Sequence, residues 1–178
     1  MFAQWKVLHV DAVESEGALF CRALEHAHFA GRCESVRSFD EAKLNLDRTL
    51  YFPQLFSRPD IIVIDGRPGC DTPVLEFVHW VRIQPQLHVT PAIVFVKGEW
   101  SLAAQERAQQ EGVTELIGWP DTFEGLVEEL RALLDRCASR CAERKSLSEI
   151  ESGRPGHGSS QSIVRGGRRI LLLKSETP

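Results

Sequence analysis

The sequence lacks any long apolar run and has no N-terminal segment that joins basic residues to an apolar stretch. No run of about 20 apolar residues occurs, so neither a membrane-spanning helix nor a secretion signal is expected. The five cysteines are odd in number and form no C-x-x-C pair, which argues against a disulfide framework. These absences predict a cytoplasmic protein that has no membrane partner.

The sequence also lacks the usual patterns of a zinc site and of a nucleotide-binding loop. Cys137 and Cys141 stand four residues apart, but no His–Cys pair at zinc spacing accompanies them, so burial as small apolar side chains is preferred. The segment after the first predicted strand reads VDAVESEG and contains no Gly-rich phosphate loop. A nucleotide cofactor is therefore disfavoured, and no enzymatic activity is expected.

Charge and composition divide the chain of 178 residues into one domain, 1–141, and a tail, 142–178. The tail carries seven bases and four acids, whereas the domain has a net charge of −7, which disfavours nucleic acid as the main partner. The tail is rich in Gly and Ser and is expected to be mostly disordered. Two strand-like runs within 162–173 flank a Gly-Gly pair and indicate a terminal hairpin. Gly153-Arg154-Pro155 resembles a minor-groove hook, which leaves DNA contact through the tail as a remote alternative.

Five short apolar runs alternate with five amphipathic patterns along the first 141 residues. Such alternation predicts an α/β protein with a parallel sheet and helices on both of its faces. Ser38 and Glu41 form a capping box before the second helix, and Gly31 is a candidate left-handed cap for the first. The loop YFPQLFSRP is aromatic and is expected to pack on the body. The predicted strands are 5–11, 32–36, 60–65, 91–96 and 113–117. The predicted helices are about 14–30, one that begins at 39 or 40, one whose apolar face covers 74–81, 102–111, and one whose apolar stripe covers 123–137.

Polar and apolar residues of interest stand at the ends of three predicted strands. Asp11 follows the first strand, Asp65 ends the third and Val96 ends the fourth. In parallel sheets, ligands bind at the carboxyl ends of the strands near the point where the strand order reverses. We therefore expect these residues to converge on one crevice. His9, inside the first strand, is interpreted as a packed core histidine.

Over about residues 4–140 the chain resembles the CheY-like receiver domains of two-component response regulators. The resemblance rests on VLHVDAVES, RPDIIVIDGRPGCD, PAIVFV and GVTELIGWP, which follow one another in the family's order. It implies a doubly wound, flavodoxin-like sheet with strand order 2-1-3-4-5. It also implies phosphoryl transfer from a histidine kinase to Asp65, with Mg²⁺ held by Asp11 and Asp65.

The chain departs from the receiver pattern at four positions of the pocket. Ala12 replaces the second metal-binding acid, Val96 the phosphate-binding hydroxyl residue, Leu116 the aromatic switch residue, and Trp119 the lysine. Because Ala12 cannot supply a metal ligand, Mg²⁺ binding is expected to be weak. The resemblance also suggests a cis bond between Trp119 and Pro120. Lys97 and Arg67 are candidate substitute cations, although a solvated surface charge is the preferred interpretation of each.

These losses separate two hypotheses about function. If the missing lysine, hydroxyl and metal carboxylate each cost about 1.4 kcal/mol in the transition state, phosphoryl transfer slows roughly 1,000-fold. The first hypothesis is therefore a pseudo-receiver that acts by protein interaction, phosphorylation-independent or weakly phosphorylated. The alternative is an acceptor with a rewired pocket of Asp11, Asp65 and Lys97.

The resemblance also suggests partners for this chain. They are a histidine kinase, another signalling protein, or a second copy bound through helix 4, strand 5 and helix 5 or through the terminal hairpin. The YFPQLFSR insertion looks like that of single-domain receivers that serve phytochrome-type kinases.

Overall fold

The computed structural model describes residues 5–11, 17–67 and 69–152, with side chains described as far as residue 140. Five parallel strands form one sheet in the order β2-β1-β3-β4-β5, as the resemblance implied. The strands are β1 (Lys6–Val10), β2 (Arg32–Val36), β3 (Ile61–Gly66), β4 (Ala92–Val96) and β5 (Glu115–Gly118); the helices are α1 (Gly17–His26), α2 (Phe39–Tyr51), α3 (Asp71–Ile83), α4 (Leu102–Gln110) and α5 (Phe123–Ser152).

The apolar core is divided into two layers, one on each face of the sheet. Because side chains alternate across a strand, each central strand supplies residues to both layers. The first layer packs the sheet against α2, α3 and α4, and it includes Leu8, Ile62, Ile64 and Val94. The second packs it against α1 and α5, and it includes Val7, Val63, Phe95, Leu130 and Cys137.

The capping box predicted for α2 is confirmed. The Ser38 hydroxyl accepts a hydrogen bond from the Glu41 backbone N–H at 3.1 Å, and the Glu41 carboxylate accepts one from the Arg37 N–H at 2.8 Å. Two backbone donors at the helix start are thereby satisfied. Gly112, with φ +88°, ends α4 in the left-handed region, as the glycine in that position predicts.

The end of α1 differs from the prediction. The helix stops at His26, and His28 rather than Gly31 takes the left-handed conformation, with φ 60°. The prediction for Gly31 is wrong because that glycine serves a different need. A Cβ at Gly31 would lie 2.1 Å from the Trp5 carbonyl oxygen, so the close approach of two chain segments requires glycine there.

The aromatic loop between α2 and β3 does not pack on the body as predicted. Tyr51 is 74% exposed and Leu55 73%, and Phe52 and Phe56 are also exposed. A local turn, in which the Leu55 and Phe56 N–H groups both donate to the Phe52 carbonyl, satisfies these two backbone donors within the loop. Four side chains here form an exposed apolar patch, Tyr51, Phe52, Leu55 and Phe56.

Helix α5 continues to Ser152, eleven residues beyond the predicted domain boundary at 141. Ala, Glu, Arg, Lys and Leu in 142–152 favour helix, and elongating an existing helix costs no new nucleation. Among the described helices none is long and apolar enough to span a membrane. The predicted hairpin (162–173) and Gly153-Arg154-Pro155 lie outside the described residues, as does Ala12.

Candidate functional site

A row of polar side chains crosses three neighbouring strands on the α1 and α5 face of the sheet. The parallel register places His9 of β1 opposite Ser35 of β2 on one side and opposite Val63 of β3 on the other. Asp65 stands two residues after Val63, so it shares the face of His9. The register thus aligns Ser35, His9 and Asp65 in one row.

Hydrogen bonds connect the three members of this row. His9 Nε2 lies 3.2 Å from Asp65 Oδ1, and His9 Nδ1 lies 3.2 Å from the Ser35 hydroxyl oxygen. With its proton on Nε2 the imidazole donates to the carboxylate, and Nδ1 then accepts from the Ser35 hydroxyl. The imidazole also stacks on Phe20 of α1, with ring centroids 4.0 Å apart and ring planes 4° apart. The ring is held in one orientation by contacts on its edge and its face.

Asp65 is a buried carboxyl group with one partner for two oxygens. Its side chain is 1% exposed and that of His9 is 0% exposed. Oδ1 meets His9, whereas Oδ2 is buried and has no hydrogen-bond partner within the described residues. Burial raises the pKa of Asp65, and the nearby Asp11 raises it further, while His9 and Arg67 oppose the rise. The predicted phosphoacceptor therefore faces an internal histidine.

Asp11 lies within electrostatic range of Asp65, and its carboxylate already has a structural partner. It is 3% exposed, and its Oδ2 accepts a hydrogen bond of 2.8 Å from the Gly17 N–H at the start of α1. A Cβ at Gly17 would lie 2.4 Å from the Ser35 hydroxyl, so glycine allows the helix to begin this close to β2. Asp11 therefore anchors α1 above the polar row.

Each of the two candidate cations lies within electrostatic range of one of the acids, Lys97 of Asp11 and Arg67 of Asp65. Lys97 Nζ lies 4.1 Å from the centroid of the Trp119 ring, which is a cation–π distance. Burial lowers the pKa of Lys97, and the Asp11 carboxylate opposes that shift. Arg67 lies within electrostatic range of Asp65. The structure thus places both cations near the acids, and it places Lys97 against the tryptophan that replaces the family's lysine.

Three of the altered pocket positions, Val96, Leu116 and Trp119, carry apolar side chains on β4, on β5 and directly after β5. Val96 and Leu116 line the same cavity of about 380 Å³, together with Trp100 and Gln105. Trp119 packs edge-on against Phe95 with ring centroids 5.8 Å apart. No cis peptide bond occurs among the described residues, so the expectation of a cis Trp119–Pro120 bond is wrong. The aromatic ring is accommodated in the core beside Phe95 with a trans bond.

The remaining acids fit a divalent cation poorly. Mg²⁺ prefers near-octahedral oxygen ligands, usually one or two carboxylates with water and phosphate. Asp11 and Asp65 each have an oxygen engaged by a protein group, Gly17 N–H and His9 respectively. Within the described ranges, no three His, Cys, Asp or Glu side chains cluster in a way that could hold a metal. We therefore assign no step of phosphoryl transfer at Asp65 to a metal.

His9 and Ser35 are the site residues that sequence reasoning missed. The sequence predicts a packed core histidine at position 9; His9 is buried, and its ring also bonds to Asp65. The sequence contains one indication of this contact. If side chains alternate between the two faces along β1 and β3, His9 and Asp65 each stand at a position that faces α1. Only the register between strands shows that the two side chains meet.

Comparison with known proteins supports the fold. No family model and no curated protein matches the sequence. Among solved structures, the chemotaxis protein CheY4 of Vibrio cholerae is 27% identical, with a TM-score of 0.56 over 73% of this chain and 98% of that chain. The phosphorylated cyanobacterial phytochrome response regulator RcpA is 19% identical, with a TM-score of 0.63 over 78% of this chain and 96% of that one. The Mn²⁺-bound response regulator Rcp1 is 15% identical, with a TM-score of 0.59 over 72% and 91%.

The strand order and the acids at the strand ends define a domain with the receiver fold. The structures to which it is similar are response regulator receiver domains of the CheY type. One of them is a metal-bound form, as its name states. In sequence, the chain departs from the receiver pattern at Ala12, Val96, Leu116 and Trp119.

Replacing Asp65 by Asn is expected to change how stability depends on pH. The folded-state pKa of Asp65 lies above its ordinary value of 3.8, so the native state binds more protons than the unfolded state in the window between the two values. This contribution to stability is complete below the ordinary pKa and is lost as pH rises through the folded-state pKa. Urea unfolding between pH 4 and pH 8 should show the wild type losing stability relative to Asp65→Asn as pH rises. If the stability of the wild type relative to Asp65→Asn stays constant or increases as pH rises, burial does not raise the pKa of Asp65.

Proposed function

We propose that this chain is a two-component signalling protein that acts through protein contacts and does not depend on efficient phosphorylation of Asp65. The observation that supports this proposal is the pairing of Asp65 with His9 inside the core. An acceptor carboxylate must reach a phosphodonor, whereas this one is 1% exposed and bonded to an imidazole. The domain is thus proposed to be a binding module and not an enzyme.

The surroundings of Asp65 support the same proposal. A receiver that accepts a phosphoryl group needs positive charge and a hydroxyl donor where negative charge develops. Here Val96 offers no donor, and Trp119 offers no charge. Lys97, the cation on this side, lies over the Trp119 ring. Transition-state charge at Asp65 would therefore receive little of the stabilisation that the family's pocket supplies.

Exposed apolar side chains favour a protein partner. The exposed apolar patch of the α2–β3 loop holds three aromatic side chains in solvent, and exposed aromatics are enriched where proteins bind one another. A histidine kinase is the proposed partner class, because several similar structures are response regulators. The phytochrome response regulator among them agrees with the interpretation of the YFPQLFSR insertion. Self-association through α4, β5 and α5 stays a prediction.

The competing proposal is an acceptor with a rewired pocket, in which Asp11, Asp65 and Lys97 take part. One observation favours it, since Asp65 Oδ2 has no partner within the described residues. This proposal requires His9 to release Asp65 and Mg²⁺ to bind weakly at Asp11 and Asp65. The two proposals differ in what a phosphodonor does to the chain.

Treatment of the full chain with acetyl phosphate and Mg²⁺ is expected to leave Asp65 unmodified on the timescale on which a complete receiver pocket is saturated. The expected rate is about 1,000-fold below that of such a pocket, because three charge-stabilising contacts are absent. Intact-mass spectrometry measures the added phosphoryl group, and Asp65→Asn supplies the baseline. Beryllofluoride binding, followed by amide NMR, gives a second readout that needs no covalent step.

Binding to a phytochrome-type histidine kinase separates an interaction role from phosphoacceptance. We expect the wild type and Asp65→Asn to bind the kinase with equal Kd in titration calorimetry. Stoichiometric, Mg²⁺-dependent labelling that disappears in Asp65→Asn would replace the proposal by the rewired acceptor. No binding by either protein would argue against this class of partner.

A further inference from the structure

Two cysteines from different elements meet beside the polar row. Cys21 of α1 and Cys33 of β2 share a hydrogen bond, with their sulfur atoms 2.8 Å apart. Both side chains are half-buried and neither forms a disulfide, so small reagents can reach a pair of reduced thiols. A covalent disulfide requires about 2 Å between the sulfurs, so closing the bond needs movement of less than about 1 Å.

The fold brings these thiols together by the same register that builds the polar row. Cys33 stands opposite Val7 and two residues before Ser35, so it lies on the α1 face of β2. Phe20 of α1 stacks on His9, which fixes the helix over β1 and positions the next residue, Cys21, above β2. The contact thus belongs to the packing of α1 on the sheet and does not depend on a surface loop.

The shared proton makes the two thiols chemically unequal. The hydrogen bond from Cys33 lowers the pKa of Cys21 to about 7, and the charge of His9 lowers it further, while burial and Glu25 oppose the shift. The same hydrogen bond and burial raise the pKa of Cys33. Cys21 is therefore the thiol that loses its proton more readily near neutral pH, and Cys33 keeps its proton. Thiolates are the reactive form of cysteine toward electrophiles.

We propose that Cys21 and Cys33 form a redox-active dithiol, in which Cys21 reacts first with hydrogen peroxide and Cys33 resolves the product as an intrachain disulfide. The Cys21 thiolate attacks one oxygen of hydrogen peroxide and forms an S–O bond as the O–O bond breaks, so Cys21 becomes a sulfenic acid while hydroxide leaves and is protonated to water. Cys33 then attacks the Cys21 sulfenic acid, and the departing hydroxyl takes the Cys33 proton as a second water. The two thiols lose two electrons and the peroxide gains them.

Such a bond would connect α1 covalently to β2 next to Ser35 and His9. In a reducing compartment a disulfide of this kind is transient and serves sensing, not structural reinforcement. The proposal is independent of whether Asp65 accepts a phosphoryl group, because neither thiol takes part in that chemistry. It adds an oxidant input to the domain.

Peroxide treatment of the full chain tests the assignment. After exposure to hydrogen peroxide, remaining thiols are alkylated, and peptides are mapped by mass spectrometry without reduction. The expected product is one Cys21–Cys33 link that dithiothreitol reverses. Cys70→Ser, a matched control at another half-buried cysteine, should leave the link intact. No link in the folded chain, a link only after unfolding in urea, or pairing of Cys21 with another cysteine would overturn the proposal.

Single substitutions test the order of the two thiols. In Cys33→Ser the hydroxyl still donates to Cys21, so we expect dimedone to trap a sulfenic acid at Cys21. In Cys21→Ser we expect no adduct at Cys33. Wild-type Cys21 should also react with iodoacetamide at pH 7 about fivefold faster than glutathione, since its larger thiolate fraction outweighs its lower intrinsic nucleophilicity. Equal trapping at both cysteines would contradict the roles assigned, and the wild-type measurements decide the case if a variant does not fold.

Discussion

His9→Ala is expected to lower the free energy of unfolding by about 3–5 kcal/mol at pH 7, because it removes the only described partner of a buried carboxylate. The substitution also removes a ring that stacks on Phe20 in a fully buried position. Without His9 the pKa of Asp65 rises further, so the loss of stability should increase with pH. Urea unfolding followed by far-ultraviolet circular dichroism at pH 5 and pH 8 measures both effects.

A second histidine of the same chain provides a matched control. His79 pairs with Glu111 at 2.8 Å, shorter than the His9–Asp65 distance, but its side chain is 61% exposed. Solvent screens that pair, so His79→Ala should cost less than about 1 kcal/mol. If both substitutions lower the free energy of unfolding equally, burial of the His9–Asp65 pair adds nothing to its contribution to stability.

A double-mutant cycle isolates the interaction between the two groups. Asp65→Asn removes the charge that His9 balances, so we expect His9→Ala to cost less in that background than in the wild type. The difference should be about 1–3 kcal/mol, as for other residues that share a hydrogen bond. Additive effects would show that His9 contributes only by packing against Phe20.

Restoring the receiver residues is expected to raise the rate of phosphoryl transfer to Asp65 about 1,000-fold. The variant carries Ala12→Asp, Val96→Thr and Trp119→Lys, with His9→Ile to release the carboxylate. The three pocket changes restore a metal ligand, a hydroxyl donor and a cation, each worth at least about 1.4 kcal/mol toward the transition state. Acetyl phosphate labelling followed by intact-mass spectrometry gives the rate.

Two controls show whether the gain has the assigned cause. Adding Asp65→Asn to the restored variant should abolish labelling, and omitting Mg²⁺ should reduce it strongly. Circular dichroism establishes that the variant folds, which matters because Trp119 packs against Phe95. A folded variant that labels no faster than the wild type would mean that the residues at these four substituted positions do not limit phosphoryl transfer to Asp65.

The positions of the strands and of the acids at their ends could be predicted from the sequence, because both follow from local patterns. Apolar runs with period-2 or fully buried character mark the strands, and Ser38 with Glu41 marks the start of α2. Once the strands are parallel, Asp11 and Asp65 must stand at the same edge of the sheet. These inferences use residues close in sequence, where spacing alone carries the information.

The His9–Asp65 bond and the Cys21–Cys33 contact could not be predicted in the same way. Each joins residues from separate elements, and each depends on a register or a helix position that no local pattern encodes. The prediction that the aromatic loop packs on the body is wrong for a related reason. Apolar composition predicts burial on average, but single apolar residues can stay exposed, and here the rings of Phe52 and Phe56 lie in solvent.

The positions of Trp100 and Trp119 give the crevice built-in optical reporters. Trp100 is 6% exposed and approaches the end of β3 closely, since a Cβ at Gly66 would lie 2.9 Å from its ring. Trp119 lies under the amine of Lys97. Only four tryptophans occur in the chain, so Trp5→Phe with Trp80→Phe would leave emission from these two indoles alone. Events at Asp65 or Lys97 could then be followed in real time by intrinsic fluorescence, with no attached dye.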